Sequence, residues 1–250
     1  MSLAALTSIL RGTPVHSVAD AVSVLQAIED VLAPPGTPPA EGVAWFNRVY
    51  LLVTSSVQSS LDGPMFESPA YIAELDVIFA NLYFAALQAY LTNTQAVPRA
   101  WWPVFADSER TNVAPLQFTM AGMNAHINRD LPVALATLWS PARVSAHALP
   151  DRELQKRDYD RVNALLAAVE GEVKAWFLTG PWQDLARAFH GVDDVVAMFS
   201  VTEAREAAWV QGEVLSSLGG PSALLGSRYL EAFDGVVGVA SRGLLVGTRR

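Results

Sequence analysis

Apolar residues recur three and four positions apart along most of the chain, which is the spacing of one face of an α-helix. One such stripe consists of Ile72, Leu75, Ile78, Phe79 and Leu82. Runs that alternate apolar and polar residues on both sides of a hairpin dipeptide would indicate β-strands, and the sequence has none. The pattern therefore predicts an all-α fold.

Helix start and stop signals divide this pattern into segments. Ser17 and Ser68 stand where a side chain can cap a helix, and Ser68 precedes a proline that suits a first turn. Gly219 and Gly220 suit a C-terminal stop. We expect a single helical-bundle domain that spans the whole chain and has about eight or nine helices. The long helices are predicted over residues 17–32, 40–61, 68–91, 115–129, 151–178, 192–218 and 221–245, and short ones over 98–105, 132–139 and 182–190.

Composition excludes several classes of protein. The 250 residues are 51% hydrophobic and 17% charged, with a formal net charge of -8 and no cysteine. Without cysteine there is no disulfide scaffold, thiolate zinc site or cysteine nucleophile. The acidic balance argues against a nucleic-acid partner, and the apolar fraction argues against disorder. A basic leader and an uninterrupted apolar run of about 18 residues are both missing, so we expect a cytoplasmic chain without a membrane span.

One polar cluster interrupts an apolar context in the segment 122–132. His126 and Asp130 are four residues apart and therefore share a helix face, while Asn124 and Asn128 form a neighbouring stripe. A carboxylate one turn from an imidazole can orient it for general acid–base catalysis. The same spacing suits two ligands of a divalent metal. These side chains can also tie helix ends and buried backbone groups together, so catalytic, metal-binding and structural interpretations all stay open.

Asp76 and Arg205 are the other polar candidates on apolar faces. A carboxylate among core positions is costly unless it is paired. We therefore expect that Asp76 pairs with Arg205 or His126, or else that its stripe faces solvent. Arg205 would bind an anionic substrate group, or would clamp Asp76 or Asp160.

Large aromatic side chains are more numerous than a helical core of this size requires. They can fill the core, or they can surround a cavity that takes an apolar ligand. A methionine beside the polar cluster allows the same two interpretations. The candidates for binding an apolar substrate are Tyr83, Trp102, Trp209 and Met123.

The segment Gly122–Pro132, GMNAHINRDLP, resembles the signature of a bacterial family that is common in actinobacteria, domain-of-unknown-function family 5995. Segments within 75–84, 160–166 and 200–209 strengthen this resemblance, which implies an all-helical fold and leaves the activity open. More distantly, the His126–Asp130 pair is similar to the His-x-x-x-Asp metal ligands of zinc-dependent phospholipase C. The chain has only four histidines, which are too few for a zinc cluster of that kind.

Three functions are compatible with these residues. The first is a cofactor-independent cyclase, isomerase or lyase of specialised metabolism that acts on an apolar small molecule. His126 would be its acid or base, oriented by Asp130 or Asp76. Its substrate would be held by Asn124 and Asn128. The second is a metal-assisted hydrolase with His126 and Asp130 as ligands, and the third is a non-catalytic helical module that binds a ligand. Motifs for nucleotide, flavin, nicotinamide and pyridoxal phosphate cofactors are missing, so none is expected, and self-association stays open.

Overall fold

The computed structural model describes residues 3–34, 36–37, 39, 41–93, 97–141, 143–144, 149–178 and 200–247. Within these ranges the chain is α-helical and has no strand, which confirms the predicted fold class. A π-helical segment, His126–Asp130, joins two of the helices. The α-helices are α1 (Leu3–Leu10), α2 (Val18–Leu32), α3 (Gly42–Ser60), α4 (Pro69–Thr92), α5 (Trp102–Ala106), α6 (Pro115–Ala125), α7 (Leu131–Leu138), α8 (Arg152–Leu178), α9 (Val201–Ser217) and α10 (Leu224–Leu244).

The number of helices agrees with the prediction. If α6, the π-helical segment and α7 are counted as one continuous helix, the described ranges contain nine helices. The sequence pattern does not predict α1, and the predicted short helix over 182–190 lies outside the described residues. The prediction that one helix runs from 192 to 218 is wrong at its start. Ser200 adopts an extended conformation, its side chain accepts a hydrogen bond from the Glu203 N–H at 3.2 Å, and α9 begins at Val201.

The starts of α2 and α4 are capped in different ways. Ser17 caps α2 as predicted, because its side chain accepts a hydrogen bond from the backbone N–H of Asp20 at 3.1 Å. Ser68 stands at the N-cap position of α4, but its side chain makes no capping bond. Instead, the buried carboxylate of Asp158 accepts the N–H groups of Glu67 at 2.9 Å and Ser68 at 2.6 Å. This contact fastens α8 to the start of α4.

The C-terminal end of α9 follows the prediction. Gly219 and Gly220 have φ values of +89° and +87°, which lie in the left-handed region that favours glycine. The N–H of Gly220 reaches back to the carbonyl of Leu215 at 2.9 Å and closes the last turn.

The prediction of two separate helices on either side of Pro132 is wrong. Pro132 has no N–H to bond to the preceding turn. The chain accommodates this with one wider turn, in which the N–H of Leu131 bonds to the carbonyl of His126, five residues earlier. Such π-turns are frequent at functional sites. Here the π-helical segment carries the side chains of both His126 and Asp130 into the protein interior.

The continuous helix formed by α6, the π-helical segment and α7 lies at the centre of the fold. Its first part packs against α3 and α10, and its last part packs against α4 and α9. The close approach of α3 depends on Gly122, because a Cβ atom there would lie 2.5 Å from the ring of Phe46. Ala125 belongs to one large apolar cluster and Ile127 to a second, so His126 lies where the two clusters meet.

Among the described residues, α4 has the length and composition of a helix that could cross a membrane. The mean hydropathy of its most apolar window is 1.4, and half of that window is buried inside the protein. It packs there against α1, α2 and α7. The core helix of a soluble protein has the same properties, so this feature is weak evidence for a membrane location.

Candidate functional site

The π-helical segment brings His126 and Asp130 into contact, as their spacing predicts. The Nδ1 atom of His126 lies 3.0 Å from Oδ2 of Asp130, and the two residues are 3% and 0% exposed. A carboxylate at this position fixes the orientation of the imidazole ring. Both residues are therefore held in a single arrangement within the core.

Asp130 is surrounded by further donors. Its Oδ2 atom also accepts a hydrogen bond from the indole N–H of Trp101 at 2.8 Å, and its Oδ1 atom accepts one from Arg129 Nη1 at 2.6 Å. Burial alone would raise the pKa of this carboxyl, but the charge of Arg129 and the hydrogen bond to His126 outweigh burial and lower the pKa. Asp130 is therefore an ionised, fully engaged carboxylate.

The His126 ring lies among aromatic side chains. The ring of Phe79 stacks on it, with 3.5 Å between centroids and an interplanar angle of 8°, and Tyr50 meets it edge-on at 4.5 Å. Burial lowers the pKa of His126, and the hydrogen bond to Asp130 only partly offsets this effect. The Nε2 atom is buried, and the described part of the structure provides no hydrogen-bond partner for it. One ring nitrogen is thus bound to Asp130 and the other is unused.

A cavity of about 100 Å³ adjoins the imidazole. Its wall is almost entirely apolar and is formed by α3, α4, α8 and the helix that carries His126. Three residues that the sequence singles out as isolated polar candidates, Asp76, His126 and Arg205, all line it, together with Met123. The apolar wall includes Phe46, Val49, Val53, Val57, Ile72, Leu75, Phe79, Ile127, Leu131, Val162 and Leu166.

Asp76 lines this cavity without the predicted partner. Its Oδ2 atom is buried and unpaired within the described residues, and neither Arg205 nor His126 forms an ion pair with it. The prediction of a clamp on Asp76 is therefore wrong. Burial raises the pKa of Asp76 to about 7. The same carboxylate adds to the effect of burial on the Tyr50 hydroxyl, whose pKa is also raised, because the two groups are close together.

Arg205 reaches the cavity from α9. Its Nε atom donates a hydrogen bond to Asn163 Oδ1 at 2.8 Å, and its Nη2 atom donates one to the carbonyl of Tyr159 at 2.6 Å. The guanidinium lies 4.1 Å from the centroid of the Tyr159 ring. The alternative prediction, a clamp on Asp160, is also wrong, because Asp160 bonds to Lys156 at 2.6 Å.

Asn124 and Asn128 point away from the cavity. Asn124 is buried, and its Nδ2 atom donates to the carbonyl of Val237 at 3.1 Å and to Ser241 Oγ at 3.0 Å, both on α10. Asn128 donates to Asn124 Oδ1 at 2.9 Å. These bonds tie the central helix to α10, and neither amide lines the cavity, so the substrate-holding role stays a prediction that the cavity lining does not support.

The predicted aromatic candidates lie outside the cavity wall. Tyr83 is fully buried behind His126, with 6.2 Å between the ring centroids. Trp102 is 48% exposed and packs on Tyr90. Trp209 is buried against Trp139, and its indole N–H donates to a carboxylate on α9. Of the predicted apolar contacts, only Met123 lines the cavity.

A metal ion finds few ligands here. The described residues contain no group of three or more histidine, aspartate or glutamate side chains arranged to hold a metal. Both oxygens of Asp130 already accept hydrogen bonds from Trp101 and Arg129, so this carboxylate has little capacity for a metal. Two of the four histidines, His147 and His190, lie outside the described residues.

Sequence reasoning missed several members of the site. Tyr50 and Phe46 lie on α3 at helical spacing with Val53 and Val57, so the apolar periodicity of α3 contained a signal for this wall. The contact of Arg129 with Asp130 could be predicted only once the π-helical turn is known, because adjacent residues on a regular helix do not face each other. The contact of Trp101 with Asp130 joins residues 29 positions apart and has no local signal.

Comparison with known proteins bears on the family only. Neither the curated proteins nor the solved structures provide a match, so the similarity to zinc-dependent phospholipase C stays a prediction from one pair of residues. A model of the family of unknown function DUF5995 matches residues 18–247, which include every member of the site. The match spans far more than half of the chain and agrees with the resemblance of the segment 122–132. The protein belongs to this family.

Proposed function

We propose that the protein is an enzyme that moves protons on a small, mainly apolar molecule bound in the cavity beside His126. One observation carries the proposal: an imidazole and a carboxyl group line the same apolar cavity, and the surroundings displace their pKa values in opposite directions. The pKa of the base is lowered and that of the acid is raised. Such pairs commonly divide the roles of general base and general acid.

His126 is the base in this proposal. Asp130 is ionised, so it accepts the Nδ1 proton of His126 and leaves the lone pair of Nε2 free. Because burial lowers the pKa of the imidazole, the ring stays neutral around pH 7. Nε2 has no accessible surface in this conformation, and substrate therefore reaches it only when a neighbouring side chain shifts.

Asp76 is the acid. With a pKa of about 7, a substantial fraction of this carboxyl carries a proton at neutral pH. A protonated carboxyl donates a hydrogen bond to a developing negative charge on the substrate and then transfers its proton. The nearby Tyr50 hydroxyl, kept neutral by its raised pKa, adds a second polar contact. Removal of one proton by His126 and delivery of another by Asp76 is the chemistry of an isomerase, a lyase or a cyclase. The protonated imidazole and the ionised carboxylate then return to their starting states by proton exchange with solvent.

The cavity limits what can react. One water molecule requires about 10–15 Å³ by the same measure of volume, so about 100 Å³ accommodates a molecule of a few heavy atoms or one end of a longer one. The apolar wall strengthens electrostatic interactions inside it and excludes bulk water. A hydrolase that uses His126 and Asp130 as metal ligands fits less well, because the oxygens of Asp130 are already engaged.

The proposal is tested by exchange of carbon-bound hydrogen. The purified protein is incubated in D2O with a panel of short ketones, aldehydes and carboxylic acids, and deuterium incorporation is measured by mass spectrometry. We expect exchange with at least one compound, and we expect His126→Gln to slow it by about a hundredfold or more. Asp160→Asn removes a surface carboxylate that pairs with Lys156 and serves as the matched control with unchanged exchange.

The pH dependence of the wild-type rate provides a second readout that does not depend on the folding of any variant. The rate should rise as His126 loses its proton below pH 6.5 and should fall as Asp76 ionises near pH 7. Asp76→Asn should remove the alkaline fall. A wild-type rate equal to the buffer rate across the panel, or full exchange by folded His126→Gln protein, would overturn the proposal.

A further inference from the structure

Arg205 is a buried cation that has no carboxylate partner among the described residues. It is 6% exposed and lines the cavity from α9. The chain has 25 acidic residues, and other cations around the site use them: Arg129 pairs with Asp130 and Lys156 pairs with Asp160. In the described part of the chain, Arg205 instead contacts neutral groups, which are an amide, a carbonyl and an aromatic ring. A buried charge of this kind is costly unless something compensates it.

The contacts of Arg205 leave much of its guanidinium unused. A guanidinium has five N–H donors arranged in a planar fork. One donor of Nε bonds to Asn163, and one donor of Nη2 bonds to Tyr159. Nη1 donates no hydrogen bond to any residue that the structure describes. These contacts hold the fork in one orientation, and a fork of this shape matches the two oxygens of a carboxylate.

We propose that Arg205 binds the carboxylate of a small apolar monocarboxylic acid, whose hydrocarbon part occupies the cavity and extends towards His126 and Asp76. This inference rests on the proposed function and adds the class of its substrate. Ile127, Leu131 and Val162 line the same cavity and suit the hydrocarbon part. With its acid group held by Arg205, the molecule presents to the imidazole a carbon further along its chain. That carbon lies beside a carbonyl group, whose oxygen takes the electron pair when His126 removes the proton and then receives a proton from Asp76.

A carboxylate suits the site better than a phosphate group. The cavity is small and almost entirely apolar, and among the described residues Arg205 is the one arginine or lysine in its lining. A monoanion is neutralised by one guanidinium, whereas a phosphate dianion would keep an uncompensated charge in surroundings where charge is expensive. A neutral amide of the same shape would leave Arg205 unpaired and is expected to bind weakly.

Binding by the wild-type protein is the first test. Butanoate, hexanoate and phenylacetate are titrated by calorimetry beside their amides, with inorganic phosphate as a further arm. We expect at least one carboxylate to bind about tenfold or more tightly than its amide, because a hydrogen-bonded charge pair is lost in the amide. Equal affinity for every acid and its amide would overturn the inference, and so would tighter binding of phosphate than of any carboxylate.

Two substitutions then locate the carboxylate. Arg205→Gln should remove the preference for acid over amide, while Arg205→Lys, which keeps the charge but not the planar fork, should keep a reduced preference. Arg157→Gln changes an arginine on the surface of α8, paired with Glu67, and should leave binding unchanged. An unchanged preference in folded Arg205→Gln protein would contradict the inference. If that variant does not fold, Arg205→Lys and the wild-type comparison still decide the question.

Failure of this inference can be told apart from failure of the proposed function. His126→Gln should still bind the carboxylates, because it leaves Arg205 intact, but it should not exchange deuterium. Carboxylate binding without exchange by the wild-type protein would leave the anion site standing and refute the enzyme. Exchange of ketones by a protein that has no preference for acids would support the enzyme and refute the anion site.

Discussion

The two nitrogen atoms of the His126 ring face regions of opposite character. On the Nδ1 side, Asp130 accepts three hydrogen bonds, and large aromatic side chains such as Trp101 fill the space around it. Nε2 has no partner among the described residues, and neither has the buried Oδ2 atom of Asp76 in the wall of the cavity that the imidazole adjoins. The carboxylate of Asp130 is thus fully hydrogen-bonded, whereas the buried polar atoms of His126 and Asp76 at the cavity are not.

This difference distinguishes buried polar groups that have partners within the protein from buried polar groups that are available to a ligand. An unsatisfied buried polar group costs roughly 1–3 kcal/mol of folding free energy, and an apolar side chain at residue 76 would avoid that cost. The contacts that Asp130 makes within the protein account for its burial. The buried polar atoms of His126 and Asp76 would find their missing partners in the molecule that we propose binds in the cavity.

The largest expected effect on the unfolding free energy comes from the hydrogen bonds that Asp130 accepts. Asp130→Ala would leave Arg129, Trp101 and His126 without their shared acceptor. Breaking a buried ion pair in this way costs about 3–5 kcal/mol of unfolding free energy, which guanidinium titration measures. Asp160→Ala removes a surface carboxylate and should cost about 0–1 kcal/mol. Equal effects of the two substitutions would mean that the Asp130 network contributes no more than a surface pair.

Replacement of Asp76 should stabilise the protein, whereas replacement of Asp130 should destabilise it. Its pKa is about 7 in the folded chain and 3.8 in its ordinary state, so the folded protein holds a proton that the unfolded chain loses between these values. Stability therefore falls as the pH rises from about 4 to about 7. Asp76→Asn cannot ionise, and near pH 8 it should be more stable than wild type by roughly 2–4 kcal/mol.

The comparison between two pH values is the control for this gain. Near pH 3.5 the Asp76 carboxyl is largely protonated in both the folded and the unfolded wild-type chain. The substitution should therefore change the unfolding free energy little. Urea unfolding at both pH values measures the difference. A variant that is less stable than wild type near pH 8 would show that the Asp76 carboxylate has a stabilising partner.

A smaller effect on the unfolding free energy is expected from adding one carbon atom, either in the packed core near His126 or at the cavity wall. Gly122→Ala places a Cβ atom 2.5 Å from Phe46 in the packed region. Although alanine is the better helix former, this overpacking should cost about 1–3 kcal/mol. Val53→Ile adds its carbon at the cavity wall and should change the unfolding free energy by less than about 1 kcal/mol. Thermal denaturation of both variants measures these losses. A larger loss for Val53→Ile than for Gly122→Ala would mean that no free space adjoins Val53.

The sequence predicts the parts of this site that depend on spacing within one helix. The four-residue interval of His126 and Asp130 predicts their contact, and the position of Asp76 and Arg205 on apolar faces marks them as unusual. Their meeting in one cavity depends on how α4 and α9 pack around the central helix, and no local pattern encodes that packing. The expected Asp76–Arg205 pair is wrong for the same reason, since the guanidinium bonds to Tyr159 and Asn163 of α8 instead.

Helix boundaries show the same limit. Ser17 and Gly219 act as the local signals predict, because a cap needs only its own turn. Ser68 does not cap α4, because Asp158, 90 residues away, takes its place. Pro132 does not break its helix, because one π-turn absorbs the missing N–H while packing holds both sides in line. Asn124 is a hydrogen-bond partner of α10, a contact that helical periodicity cannot distinguish from a ligand contact.

The most direct test of the central claim is the protonation state of His126. Nitrogen NMR of histidine-labelled protein resolves the two ring nitrogens, and only four histidines need assignment, for which His126→Gln identifies the signal. We expect at pH 7 a neutral ring with a proton on Nδ1 and a free lone pair on Nε2, and we expect this state to persist to below pH 6.5. A doubly protonated ring at pH 7, or a neutral ring with its proton on Nε2, would show that His126 is not the base.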